Sequence, residues 1–347
     1  MRFVTRTFFC AAFAWFLMAH LMPVQAQGSL PEVLAASKYP ATLAVQRNAK
    51  GSVRDKEFVE QRVTDGERAL PGQFPWQVAI VRGVAGDNDP FAGFFCGGTL
   101  IEWNWVLTAA HCTYEADPAG NHLPPIAILA RDVFVYVGSH DFSGGKKLAV
   151  DRVVRHKYQF DSKDNDIALL RLSVPVTPSD KVAKVGLSVP AGQYATVVGW
   201  GATEKGILPP EDRKSVKELR FAKVQFKDSA ACNKSLNIQL RDRAKQVLQK
   251  EGWSSPQIAA ALVKHYPLSA QRINSNMVCA GGDGGGRYSD ACFGDSGGPL
   301  VIKSGNGYKQ VGLVSWGPDD GCGLSKTYGV YTNVIRYLPW IQQEIQR

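Results

Sequence analysis

Short apolar runs separated by turn residues recur along most of the chain. They fall at 76–82, 99–107, 133–137, 167–172, 195–198, 299–302 and 312–316, each bounded by Gly, Pro, Asp or Asn. Runs of this length and punctuation predict β-strands, and so many short ones predict an all-β barrel or sandwich. Two stretches break the pattern. Leu240, Ala244, Val247 and Leu248 fall at helical spacing, and Ser255-Pro256 ahead of Ile258 and Leu262 reads as an N-cap with proline at the first helical position. A helical insert is therefore expected over about 233–278, and a short helix over the tail 337–346.

The N-terminus follows another pattern. Arg2 and Arg6 precede the apolar run 8–22, and Pro23-Val24-Gln25-Ala26 then places small residues where a signal peptidase reads. The run is shorter than the ~20 residues a membrane-spanning helix needs, so 1–26 reads as a cleaved secretory signal rather than an anchor. Residues 27–62 mix Pro, Ala, Lys and Glu without periodicity and end at Gln61-Arg62 before Val63, which reads as a pro-segment.

Composition narrows the class. With 45% hydrophobic and 20% charged side chains over 347 residues, the chain can bury a large core, which excludes a disordered protein. The formal net charge of +9 includes contributions from the leading segments, and residues 63–347 hold 32 bases and 27 acids. That excess on a large domain reads as solvated surface; no basic run interleaved with aromatics marks a nucleic-acid groove, so no nucleic-acid partner is expected. Of seven cysteines, Cys10 leaves with the signal. The remaining six, Cys96, Cys112, Cys232, Cys279, Cys292 and Cys322, predict three disulfides in an exported chain, with fifteen pairings open. They form no CxxC pair and there is no HExxH, so neither metal nor cofactor is expected.

Hydrolysing an amide near neutral pH needs a nucleophile whose proton a base removes, an acid that orients the base, and donors for the oxyanion. His111 stands in Thr108-Ala109-Ala110-His111-Cys112, Asp166 in Asp164-Asn165-Asp166-Ile167-Ala168, and Ser296 in Gly294-Asp295-Ser296-Gly297-Gly298-Pro299, where glycines let the backbone turn sharply. In the order His, Asp, Ser these motifs resemble the trypsin/chymotrypsin family of serine proteases, as against subtilisins and α/β-hydrolases. The resemblance covers 63–347 and includes Phe74-Pro75-Trp76-Gln77-Val78, Cys96-Gly97-Gly98-Thr99-Leu100-Ile101, Gly199-Trp200-Gly201, Ser315-Trp316-Gly317 and Gly329-Val330-Tyr331.

The resemblance implies two antiparallel six-stranded β-barrels with the site between them, His111 and Asp166 from the first and Ser296 from the second. It gives Ser296 the role of nucleophile, His111 that of base and acid, and Asp166 that of holding the imidazole tautomer. The amides of Gly294 and Ser296 would bind the oxyanion. Trp316 and Gly317 would line the substrate groove, with Ser315 bonding near Asp166. Asp290, six residues before Ser296, would sit at the pocket base between the wall glycines Gly317 and Gly329, implying cleavage after Arg or Lys. Activation would follow cleavage between Arg62 and Val63, the new ammonium pairing with Asp295. Of the open disulfide sets, the resemblance selects Cys96–Cys112, Cys232–Cys279 and Cys292–Cys322.

Expected partners are protein or peptide substrates and protein inhibitors, with no membrane anchor after signal removal. Three features depart from the family pattern. Ala195 and Ile302 stand where relatives often carry a further disulfide, and the loop 138–147 offers only Asp141 where calcium-binding relatives supply several carboxylates. The 46 residues between Cys232 and Cys279 exceed what simple digestive relatives carry and read as a decorated surface insert rather than a binding exosite. The glycine run 281–286 lacks the Lys-Ser/Thr of a phosphate loop and reads as a loop beside the pocket. The rival function is a catalytically silent protease-like binding module. Such modules usually replace a triad member or the oxyanion glycine, and all of these stand here.

Overall fold

The computed structural model describes residues 66–83, 89–115, 126–204, 214–282, 284–317 and 322–347. The expected signal, the pro-segment and the Arg62–Val63 junction lie outside these residues. After the two-residue β1 (Glu67–Arg68) come β2 (Gln77–Arg82), β3 (Phe94–Glu102), β4 (Trp105–Thr108), β5 (Val133–Val137), β6 (Lys146–Arg155) and β7 (Ala168–Leu172). Antiparallel pairing runs β2–β3–β4–β7–β6–β5, and β5 returns to β2 through Ile80↔Val135, closing a barrel. Residues 78–81 of β2 are all buried, because one face fills the barrel and the other packs on its surroundings. The run expected at 99–107 is two strands, β3 and β4, which pair at Glu102↔Trp105 around the turn Trp103-Asn104.

The second half adds β8 (Gly186–Leu187), β9 (Tyr194–Gly199), β10 (Arg220–Lys227), β11 (Met277–Ala280), β12 (Pro299–Ser304), β13 (Gly307–Trp316) and β14 (Gly329–Asn333). Its ring runs β9–β10–β11–β14–β13–β12, and β12 closes on β9 through Leu300↔Val197. β1 pairs with the outer edge of β10, and β8 lies parallel to β13. The architecture is thus the expected pair of six-stranded antiparallel barrels. The β12–β9 register, continued one step past Val301↔Thr196, sets Ile302 beside Ala195, where two apolar side chains stand in place of a disulfide.

Among the described residues three α-helices complete the fold: α1 (Ser229–Lys250), α2 (Ser255–His265) and α3 (Leu338–Ile345). α1 begins four residues ahead of the expected insert because Asp228 caps it, accepting from the Ala231 amide at 2.7 Å. Ser254 caps α2 through a reciprocal box with Gln257, so the cap lies one residue before the expected Ser255. The carbonyls of Leu262 and Tyr266 at the far end of α2 accept from Arg241, 3.4 and 3.1 Å away, which satisfies groups a helix end leaves open. Ala244, Leu248, Ile258, Ala261 and Leu262 form a core of their own between α1 and α2. α3 instead packs on the barrels: Ile341 and Tyr337 join Leu107, Ile167, Leu169 and Leu313. Burying a side chain such as Ile341 stabilises by about 1.5–3 kcal/mol, and here it ties the chain's end to strands from both barrels.

The disulfides are Cys96–Cys112, Cys232–Cys279 and Cys292–Cys322, with Cα separations of 6.2, 6.4 and 5.4 Å. Among the described residues no helix is long and apolar enough to cross a membrane.

Candidate active site

The site lies where the end of β4 and the start of β7 in the first barrel meet the second barrel. β4 ends at Thr108, and a single 3-10 turn (His111–Thr113) presents His111. The Cys96–Cys112 bridge pins that turn to β3. On the other side of β4, β7 begins at Ala168, just after the loop that carries Asp166. That loop turns tightly: Lys163 and Asn165 both adopt positive φ, 59° and 57°, and Asn tolerates this left-handed geometry better than most residues.

Asp166 is 1% exposed and its carboxylate is well supplied with donors. The His111 amide donates to Oδ1 at 2.8 Å, the His111 ring Nδ1 to Oδ2 at 2.8 Å, and the Ser315 hydroxyl to Oδ2 at 2.5 Å. Its main-chain carbonyl accepts from the Thr332 hydroxyl at 2.7 Å. With the carboxylate holding the Nδ1 proton, the neutral imidazole keeps its basic lone pair on Nε2. Ser315 bonds Asp166 itself, a closer tie than the neighbourly contact expected.

A second ring braces the loop. The Asn276 amide donates to both oxygens of Asp164 at 3.0 and 3.3 Å, and the Tyr337 hydroxyl donates to Asn165 Oδ1 at 3.1 Å. Burial, with the charges of Asp164 and Asp166, pushes the Tyr337 phenol well above its ordinary value, so it stays a donor.

Ser296 sits in the turn before β12. Its carbonyl accepts from the Gly97 amide at 2.8 Å, which joins the turn to the strand bearing Cys96 and, through the disulfide, to His111. Gly294 and Gly297 have φ of +98° and +76°. At Gly297 a Cβ would stand 2.6 Å from the Gly97 carbonyl oxygen and closer still to the Thr108 hydroxyl, so only glycine lets the turn approach β3. Among the described residues the Gly294 and Ser296 amides have no main-chain acceptor.

Two more buried carboxylates lie behind this turn. Asp295, 1% exposed, accepts from the Gly201 amide at 2.7 Å and the Cys292 amide at 2.9 Å. Burial outweighs those bonds and pushes its carboxyl up to about 6. No cation among the described residues pairs with it, and Val63 lies outside them. Asp290, 3% exposed, accepts from the Ala291 amide at 2.8 Å. Burial raises its carboxyl well above the ordinary range; the Ala291 and Gly329 amides oppose the shift and the Asp295 charge adds to it. A Cβ at Gly329 would lie 2.8 Å from Asp290 Oδ1 and 3.3 Å from the Tyr331 hydroxyl, whereas one at Gly317 would meet nothing within 4 Å. A side chain at position 329 would therefore crowd Asp290 and Tyr331, whereas Gly317 leaves space beside half-buried Trp316.

Cys96, His111 and Cys112 approach metal-ligand spacing, but both sulfurs are in a disulfide and neither is a thiolate. Asp141 has its carboxylate engaged by the Ser139 and Ser143 hydroxyls and the Ser143 amide, bonds that hold it below its ordinary value. Sequence reasoning missed Thr332, Tyr331 and Asn276. Tyr331 stands inside a quoted motif, its one signal. Thr332 and Asn276 meet their partners across 166 and 112 residues, and nothing local marks them.

A family model described as Trypsin matches residues 63–341. The chain is 32% identical over 308 residues to "Vitamin K-dependent protein C" of Oryctolagus cuniculus, covering 85% of this chain and 54% of that one. It therefore spans about half the length of that relative. It is 31% identical over 303 residues to "Tryptase" of Mus musculus, covering 84% of this chain and 91% of that one.

Proposed function

The chain belongs to the trypsin family of serine proteases, and from that membership we propose that it is a secreted endopeptidase, made as a zymogen, that cuts polypeptides after Arg or Lys. The observation that carries the reading is the position of Asp166: buried, and bonded through both oxygens to the backbone and ring of His111.

That arrangement leaves His111 Nε2 to take the Ser296 hydroxyl proton as the oxygen attacks a substrate carbonyl. The imidazolium so formed sits against the Asp166 carboxylate, then returns the proton to the leaving amine. The free amides of Gly294 and Ser296 receive the oxyanion; donors of this kind are each worth about 10²–10³ in rate. Water repeats the sequence on the acyl-enzyme.

Asp290 accounts for the specificity. A buried carboxylate with only neutral amide donors is costly until a cation arrives, and a guanidinium meets it with paired hydrogen bonds. Asp295 accounts for activation in the same terms. Cleavage at Arg62–Val63 would supply an ammonium to a carboxylate that burial has already destabilised, and the pairing would fix the neighbouring amides of Gly294 and Ser296. The expected signal at 1–26 supports export, and protein substrates are the class the family implies.

The test uses activated wild type and Ser296→Ala on peptides that differ only in the residue before the scissile bond. Hydrolysis after Arg and Lys by wild type alone is expected. A preference for Phe or Leu would overturn the pocket assignment, and turnover by the alanine variant would overturn the nucleophile.

A further inference from the structure

The positive charge of this protein is not spread over the fold. Residues 229–276, which hold α1, α2 and their return to β11, carry seven bases against two acids, Asp242 and Glu251. The rest of 63–347 carries 25 of each, so the insert alone accounts for the excess. Lys234, Lys245, Lys250 and Lys264 are exposed, and none pairs with an acid among the described residues. Arg241 and Arg272 bond only neutral groups, helix-end carbonyls and the Asn237 side chain. A decorative insert needs no such imbalance.

Apolar side chains stand among these charges. Ile238, Val263 and Leu268 are 42, 69 and 54% exposed. Arg241 and Asn237 hold the carbonyls of Tyr266 and Leu268, so the segment after α2 runs alongside α1 at 237–241. That brings the Leu268 backbone alongside the stretch of α1 that carries Lys234 and Ile238, with Lys245 on the same stripe about 16 Å from Lys234 along the axis.

The surface is joined to the pocket. Ser235 and Gln239, on the next stripe of α1, donate to the Lys326 carbonyl in the loop that leads to Gly329, and Leu236 packs in the cluster that includes Trp316, Tyr328 and Val330. Lys326 is itself exposed and extends the basic track toward the groove.

We propose that the α1–α2 insert is a docking site for an acidic, leucine- or isoleucine-bearing segment of the protein substrate, held outside the pocket while the scissile bond occupies the site. The inference rests on the endopeptidase reading for its purpose but not for its chemistry. Charge complementarity sets the sign, the interspersed apolar residues favour a polypeptide over a sulfated polysaccharide, and continuity with the Lys326 loop favours the substrate over an unrelated partner.

Two measurements test it. Binding is read on the full-length Ser296→Ala protein by anisotropy of a labelled peptide alternating Glu and Leu, against one alternating Gln and Leu. The Glu peptide should bind, and both the combined Lys234→Gln, Lys245→Gln, Lys250→Gln, Lys264→Gln variant and a rise in salt from about 0.1 to about 1 M should weaken it about tenfold. Cleavage is read with activated enzyme on an Arg peptide with and without the Glu/Leu extension. The combined variant should lose the advantage of the extended substrate and keep kcat/KM on the short one within about twofold. Equal binding of the Gln and Glu peptides, unchanged binding by the variant, or binding of dextran sulfate or phosphatidylserine vesicles but not of the Glu peptide would each overturn the proposal. If activated enzyme cleaves no short peptide, the endopeptidase reading fails while the binding measurement still decides this one.

Discussion

Asp166 and Asp295 are buried to the same degree, 1% exposed each, yet their surroundings are built in opposite ways. Asp166 has three donors on its carboxylate, one of them a ring that can itself carry positive charge. Asp295 has two neutral amides, and its charge raises the carboxyl of its neighbour Asp290 further instead of relieving it. One region is complete within the described fold. The other holds carboxylates that burial pushes toward protonation, and these become favourable as anions only when cations come to them. The difference is the one expected if the acid–base machinery is permanent while the pocket and the oxyanion turn wait for substrate and for a new N-terminus.

The sharpest break in that contrast is at Asp290. Asp290→Ser should reduce the preference for Arg over Phe by about 10⁴–10⁵, because a site built for a polar partner rejects a substrate lacking one. Labelling of Ser296 by a small acylating inhibitor should persist, and its loss would mean that the whole turn depends on Asp290. Next comes Asp166→Asn, which keeps the shape but offers an amide where the carboxylate accepted. The imidazole would adopt the wrong tautomer, and kcat should fall by about 10⁴ with the melting temperature nearly unchanged. A comparable fall in the melting temperature would show that the carboxylate is structural.

Asp295 offers a pH test with a definite sign. Its folded value of about 6 lies above the ordinary 3.8. In the uncleaved chain its contribution to stability is therefore fully present below about 4 and lost as pH rises through about 6. A shift of this size corresponds to roughly 3 kcal/mol. Denaturant titrations of uncleaved Ser296→Ala should show stability falling across that window, and adding Asp295→Asn should flatten that part of the fall. Cleaved protein should lack it as well, because the Val63 ammonium would hold the carboxyl down. Activity of Asp295→Asn should drop by about 10²–10³, the worth of a disordered oxyanion turn. Identical pH dependence before and after cleavage would remove the Val63–Asp295 pairing.

Much of the permanent region was legible because its residues stand in local patterns. β2 and β5 are buried on nearly all of both faces and read as unbroken apolar runs, and β7 and β9 are each interrupted once, by Arg171 and Thr196. β6 and β10 escaped: in β6 only Leu148 and Val150 are fully buried, and in β10 Lys223 separates Ala222 from Val224, with Arg220 and Gln225 on either side. Such strands show period-two alternation too diluted by polar residues to stand out. β14 was hidden differently, inside a motif noted for its glycine. The helices of the insert were legible from spacing, but not Asp228 as the start of α1, since a cap lies outside the periodic positions. In the site, the residues on sharp turns were legible. The braces Thr332 and Asn276 were not, because each is an ordinary polar side chain whose importance comes from a tertiary contact.

Asn276 gives the smallest and most discriminating effect. It touches neither the carboxylate nor the imidazole; it holds Asp164, two residues before Asp166, through one amide nitrogen that donates to both carboxylate oxygens. Asn276 reaches this place from just before β11, whose Met277 pairs with Thr332 in β14, and the Asn333 amide donates to the Asn276 carbonyl at 2.8 Å. Thr332 in turn holds the Asp166 carbonyl, so the loop is gripped at two points from one pair of strands. Removing one hydrogen bond to a charged group costs about 1.5–3 kcal/mol at most, and only the part felt at Asp166 reaches the transition state. Asn276→Ala should lower kcat about three- to tenfold with KM unchanged, whereas Asn276→Asp, which sets two carboxylates together, should lower it further, with the loss relative to wild type at the same pH shrinking as pH falls toward the ordinary carboxylate range. Equal losses for the two variants, with no pH recovery for Asp, would mean that packing and not the Asp164 bond supports the loop.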